Sequence, residues 1–260
     1  MNVLAVQFDI AWEEKAANFR KVEAIVATAR PAEGSLVVLP EMFSTGFSMN
    51  LAVTRQGPER EDEAFLAELA RAHRVFVAGG AVSAGTGEMA RNEAIVVSPE
   101  GALCARYRKI HPFSRGGEHE AHEAGAEIVT FPWGGFTVAP FVCYDLRFPE
   151  IFRAAVRRGA DLFVVIALWP AIRYQHWLTL LQARAIENLA YVVSVNRMGT
   201  DPNLSYAGRS VVVDPHGVII ADAGEREQVL TAALDPEVAT AWRRDFPALQ
   251  DANWPVGAKL

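Results

Sequence analysis

Only two cysteines, Cys104 and Cys143, occur in 260 residues. That is too few for a disulfide framework and fits a reducing compartment. No basic tract offsets the acidic excess of 31 Asp and Glu over 25 Lys and Arg, which leaves a net charge of −6. A nucleic-acid binder needs a basic stripe to replace phosphate counterions, so that class is excluded. No apolar run approaches the roughly 20 residues that cross a bilayer; the best, Leu162 to Ile172, is broken by Pro170. The first ten residues lack a basic n-region and meet Asp9 before a secretory h-region forms. A cytoplasmic protein is expected, with no membrane or nucleic-acid partner. No Ser/Gly-rich linker or low-complexity stretch divides the chain, so one domain over 1–260 is expected.

What is present is a large apolar fraction, 51% of the chain, in short runs that alternate with stretches of helical periodicity, the pattern of an α/β protein. Strands are expected at Val3–Phe8, Leu36–Leu39, Val75–Ala81, Asn92–Val97, Ala102–Tyr107, Glu127–Phe131, Phe136–Val142, Leu162–Ile166, Tyr191–Asn196, Arg209–Val213, Val218–Ala221 and Val229–Leu234. Helices are expected over Glu14–Arg30, over Glu61–Ala72 and around Leu178 to Leu189. One internal echo stands out. The run from Ile95 to Leu103 and that from Val211 to Ile219 are each an apolar strand, a turn with Pro second and Gly fourth, and another apolar strand. Two similar hairpins imply two similar halves, and hence a four-layer α-β-β-α sandwich of two mixed sheets.

Three titratable residues each stand just beyond an apolar strand: Glu41 after Leu36 to Pro40, Lys109 after Tyr107, and Cys143 after Phe136 to Val142. Strand ends are where α/β proteins form clefts. If the three meet, Lys109 supplies positive charge and Glu41 a base that together make the thiol nucleophilic. Burial behind a strand raises the pKa of Glu41 toward the range of a general acid–base, while Lys109 and the Tyr144 N–H can stabilise an oxyanion. Taken singly, a cysteine at a strand end is more often a small core residue than a nucleophile, and the glutamate reads as solvated and the lysine, near Arg106 and Arg108, as surface. Cys104 is expected in the core. Glu118-His119-Glu120-Ala121-His122 spaces its histidines three apart, where a helical zinc site has them four apart, so no metal is expected.

Three blocks resemble the signatures of the nitrilase superfamily of carbon–nitrogen hydrolases: Pro40-Glu41-Met42-Phe43 with Gly46-Phe47, then Tyr107-Arg108-Lys109-Ile110-His111-Pro112-Phe113, then the run from Cys143 to Glu150. The resemblance runs from about Val3 to about Leu234. It implies a Glu41-Lys109-Cys143 triad, the same four-layer fold, and a second glutamate after the lysine block. Glu118, seven residues before Gly125, fits that place best, with Glu120 next. No cofactor is implied. The segments Trp169-Pro170 to Trp177, Gln182 to Asn188 and Asn196-Arg197 resemble the bacterial omega-amidases, which implies hydrolysis of the terminal amide of a short ω-amidodicarboxylate such as 2-oxoglutaramate through a thioester. Other amidase substrates (N-carbamoyl amino acids, aliphatic amides) are the alternative, and a catalytically silent binding protein is a third reading. An anionic substrate needs a local cation: Arg173 is the first candidate, and Arg147 is as suited to pairing with neighbouring carboxylates. Phe43, Phe47, Phe113, Tyr144 and Trp169 are candidate pocket walls. Pro112 and Leu168 depart from residues common in related sequences, and both are expected to border the pocket. The cluster of Arg184, Glu187 and Asn188 lies on one helix face, which is either a polar network within the chain or, as the resemblance implies, part of a homodimer interface.

Overall fold

In β1 (Asn2–Gln7) successive side chains point to opposite faces. Val3 and Ala5 enter one buried cluster and Leu4 and Val6 another, so this strand is covered on both sides. The same holds for β2 (Leu36–Val38) and β3 (Phe76–Ala84). The computed structural model describes residues 1–252; the last eight of the expected 1–260 domain lie outside the described residues.

The first sheet has the order β14 (Gln228–Ala233), β1, β2, β3, β4 (Ala90–Val97), β5 (Leu103–Arg108). The second has the order β13 (Ile219–Asp222), β12 (Val211–Val213), β9 (Tyr191–Asn196), β8 (Leu162–Ala167), β7 (Phe136–Val142), β6 (Phe131–Trp133). In each, three parallel strands (β1–β3, β7–β9) carry antiparallel flanks. The echoing hairpins are β4–β5 and β12–β13, and each ladder slips register, at Val96/Val97 and Val212/Val213. Gly101 and Gly217 close the two turns at positive φ, where glycine bears no Cβ penalty.

Val38, Ala94 and Tyr107 of the first sheet share a buried cluster with Val138 and Leu162 of the second. Helices α1 (Lys15–Ala29) and α3 (Glu61–His73) cover the first sheet with Val22, Val26, Leu66 and Leu69. Helices α5 (Pro149–Arg157) and α6 (Tyr174–Asn188) cover the second with Phe152, Ala155, Leu181 and Ala185. The architecture is the four-layer α-β-β-α sandwich. Three further helices complete it: the single turns α2 (Leu51–Thr54) and α4 (Glu118–Ala121), and α7 (Pro236–Asp245).

The structure corrects several expectations. The strand expected at Glu127–Phe131 is β6, shifted to Phe131–Trp133, because the Gly134-Gly135 turn pairs Trp133 with Phe136. Arg209 has φ 56° and cannot begin a strand. A short pair, β10 (Met198–Thr200) and β11 (Ser205–Ala207), was not anticipated. Cys104 is exposed: β5 is an edge strand, and alternation turns Ala105 and Tyr107 inward and Cys104 out.

Candidate active site

Glu41 lies just past the end of β2 and is fully buried. Its neighbour Met42 takes φ 41°, a left-handed turn that bends the chain sharply. Gly80 of β3 passes beneath this bend; a Cβ there would stand 2.7 Å from the Glu41 Cα and closer still to the Met42 nitrogen, so the approach needs a residue without a side chain. One carboxylate oxygen of Glu41 accepts from Lys109 Nζ (2.8 Å) and Asn92 Nδ2 (2.7 Å), the other from the Leu168 N–H (3.1 Å).

Lys109 follows β5, and its ammonium is buried, only 1% exposed. It donates to Glu41 and to Glu118 (2.8 Å to Oε2). Glu118 opens α4, fully buried, and accepts also from Asn92 Nδ2 (2.7 Å) and the Phe113 N–H (2.6 Å). Glu120 is exposed, and Glu123 binds Arg91 instead. Of the three nearby acids only Glu118 joins the lysine. His119 is exposed and His122 buried.

Cys143 sits where β7 gives way to a 3₁₀ turn (Cys143–Arg147), with φ 47°. A non-glycine residue held there is strained, which presents its side chain at a sharp corner. Asp145 fixes that corner to the lysine strand. It accepts from the Val142 N–H (3.2 Å), Tyr107 Oη (2.8 Å) and the His111 N–H (3.0 Å), residues that flank Cys143 and Lys109. Arg184 of α6 donates to the Leu146 carbonyl (2.8 Å) and to Glu187 (2.8 Å), and Asn188 donates to the Arg184 carbonyl. The α6 cluster thus forms a network within the chain that buttresses the cysteine turn.

The electrostatics follow from burial and counting. Desolvation raises the Glu41 carboxyl above the usual carboxylate range; Lys109 opposes this and Glu118 adds to it. Glu118 is equally desolvated, yet Lys109 and the Phe113 and Asn92 donors hold it below that range. Burial lowers Lys109, but Glu118 and Glu41 outweigh it and keep the lysine charged. The Cys143 thiol is pushed well up by burial and by Glu41, with Lys109 only partly compensating. Of the two aids expected for the thiol, the charge of Lys109 does not by itself offset burial and Glu41. One ammonium already serves two carboxylates, so a thiolate would leave a net charge of about −2 in a dry site. The thiol rests protonated, and its proton has one base beside it with a suitably raised affinity, Glu41.

Lys109 and Cys143 face a cleft of about 640 Å3 lined also by Phe47, Phe113, Tyr144, Trp169 and Arg173 among others. The ring of Phe47 lies 5.5 Å from Lys109 Nζ. Trp169 is clamped by Asn196, which accepts its N–H (2.7 Å) and donates to its carbonyl (3.0 Å). Phe43 is not part of this wall: the Met42 bend turns it into the outer core against Phe19 and Phe65. Leu168 borders the cleft and Pro112 does not. Among the described residues Arg147 pairs with no carboxylate; it lies over Trp169 (4.8 Å), touches His176 and faces the cleft. Asn92, Asp145 and Asn196 were not singled out from the sequence, where each is one polar residue in or beside a strand.

The sequence profile of carbon–nitrogen hydrolases matches residues 2–244. The chain belongs to this family. The omega-amidase YafV of Yersinia enterocolitica is 39% identical, covering 97% of both chains. The 2-oxoglutaramate amidase of Bacillus subtilis is 32% identical over 96% of each. The crystal structure of a carbon–nitrogen hydrolase superfamily protein of Xanthomonas campestris, with an arsenic adduct in its active site, superposes with TM-score 0.92 at 34% identity, covering 98% of both chains. As a carbon–nitrogen hydrolase the chain is an enzyme, and among its described residues no helix is long and apolar enough to cross a membrane.

Proposed function

We propose that this enzyme hydrolyses the terminal amide of a short ω-amidodicarboxylate, 2-oxoglutaramate or a close analogue, to the dicarboxylate and ammonia. The observation that carries this reading is that Arg147 and Arg173 both border the cleft of Cys143 with no carboxylate partner among the described residues. A guanidinium left unpaired at the rim of an apolar cleft is suited to a substrate carboxylate. The names of the two amidase relatives point the same way.

Glu41 takes the Cys143 proton as the sulfur attacks the amide carbon. Lys109 has three N–H donors, of which one goes to Glu41 and one is shared between the two oxygens of Glu118; the third, with the Tyr144 N–H, holds the oxyanion. Glu41 passes its proton to the nitrogen, the C–N bond breaks, ammonia leaves and a thioester remains. Water enters, gives a proton to Glu41 and its oxygen to the acyl carbon; the C–S bond breaks and Glu41 returns the proton to sulfur. Glu118 keeps Lys109 charged and in place throughout. No cofactor takes part. The exposed free Cys104 and the nucleophilic Cys143 suit a reducing cytoplasm, and a homodimer is part of the proposal, tested by sedimentation.

A steady-state comparison of 2-oxoglutaramate, glutamine, asparagine and N-carbamoyl amino acids tests the substrate, with 2-oxoglutaramate expected to give the highest kcat/KM. Preference for an N-carbamoyl amino acid would overturn it. Arg173→Met is expected to raise KM for 2-oxoglutaramate about 10- to 100-fold, the worth of one charge-assisted hydrogen bond, and to leave an uncharged amide unaffected. An equal loss on both would remove Arg173 from carboxylate binding.

A further inference from the structure

We propose that Asn92 is a positioning residue that holds Glu41 and Glu118 on either side of Lys109 and keeps Glu41 a competent base, a role that neither aspartate nor a smaller neutral residue can fill. The inference rests on the catalytic reading of Glu41, Lys109 and Cys143.

Asn92 lies in β4, 1% exposed, paired with Val82 of β3. Its Nδ2 donates to Glu41 Oε1 and to Glu118 Oε1, both at 2.7 Å. Lys109 Nζ donates to the same two oxygens, at 2.8 and 3.1 Å. Two donors and two acceptors therefore close a ring, with the carboxylates facing each other across it. The Asn92 carbonyl also accepts the Lys109 N–H (2.9 Å), so one residue fixes the lysine backbone as well as both acids. Its Oδ1 is buried with no partner among the described residues. An orphaned buried acceptor is costly, and its retention indicates that the position is built for the amide's two N–H groups. The assignment of nitrogen and oxygen is forced, since ionised carboxylates only accept.

The charge count explains why the residue is an amide. Two carboxylates share one ammonium, and like charges in a dry site drive one carboxylate toward the neutral form. Asn92 adds two donors and no charge, which lets both acids stay ionised. The titratable groups around it are Glu41, Glu118, Lys109, Cys143 beyond the lysine, and His122 beside Glu118. Glu93, next along β4, faces away to Arg106 and Ser83.

Asn92→Asp keeps the shape, puts a third carboxylate at the ring and removes two donors. Its kcat is expected to fall at least 100-fold at pH 7.5, with KM within about threefold. The acid limb of the kcat profile is expected to move to higher pH, because added negative charge makes Glu41 harder to ionise. Asn92→Ser replaces the two amide donors by one shorter hydroxyl without adding charge, so kcat falls and the limb moves less. Both are measured by ammonia release from the best amide of the panel, alongside Cys143→Ala and circular dichroism. If the Asp variant does not fold, the Ser variant decides on the same readouts. A folded variant with kcat within threefold of wild type and an unmoved acid limb overturns the proposal, as does failure of both variants to fold, which would make Asn92 a fold determinant only. An active Cys143→Ala variant would instead overturn the catalytic reading beneath it.

Discussion

Cys143→Ala is expected to release ammonia at least about 10⁴-fold more slowly than wild type while folding normally. The substitution deletes one sulfur and keeps a Cβ at the strained φ of 47°, so the corner between β7 and its 3₁₀ turn persists. Asp145 and Arg184 hold that corner from both sides without touching the sulfur. What is lost is the group that forms the acyl intermediate, and removal of a nucleophile costs several powers of ten even when every other group stays. Cys104 cannot substitute for it, being exposed on the edge of the other sheet. The comparison needs ammonia release and a thermal unfolding curve for each protein. Turnover within tenfold of wild type in a correctly folded variant would sink the nucleophile assignment.

The second large effect is expected for Lys109→Met, on both activity and stability. Methionine fills most of the lysine's volume but leaves Glu41 and Glu118 buried without their common cation. Breaking a buried ion pair on one side costs about 3–5 kcal/mol, and kcat is expected to fall at least about 10³-fold through loss of the oxyanion donor. The pH dependence separates the two effects. Without the ammonium both carboxyls rise above their unfolded values, so the folded variant binds more protons than the unfolded chain and gains stability as pH falls. Urea unfolding is expected to show the gap between variant and wild type narrowing from pH 7.5 to pH 5, with no recovery of activity. A gap that widens on acidification would contradict the charge arrangement.

Glu41, Lys109 and Cys143 are legible in the sequence because each ends an apolar strand, and strand ends in an α/β fold converge on a cleft. Both halves were legible too, from the Pro and Gly spacing that recurs in β4–β5 and β12–β13. Asn92 was hidden for a physical reason. In a sheet covered on both faces, alternation no longer separates buried from solvated positions, so one polar residue inside a strand gives no sign that it faces two carboxylates. Phe43 misled because its neighbour Met42 takes a left-handed conformation that β-strand periodicity cannot foresee, sending the ring outward to Phe19 and Phe65. Cys104 lies in an apolar stretch that reads as core; only the strand order shows that β5 is an edge. Helix α7 was not read from the sequence, although Asp235 caps it by accepting the Glu237 N–H, with Pro236 in the first turn.

The most direct test is to mix enzyme with excess 2-oxoglutaramate, quench in acid within the first turnovers, and map the protein by mass spectrometry. One acyl group should be carried by the peptide containing Cys143, removable by hydroxylamine and absent from the Cys143→Ala variant. Burst release of ammonia with no adduct at that sulfur, or an adduct at Cys104 alone, would contradict the thioester route.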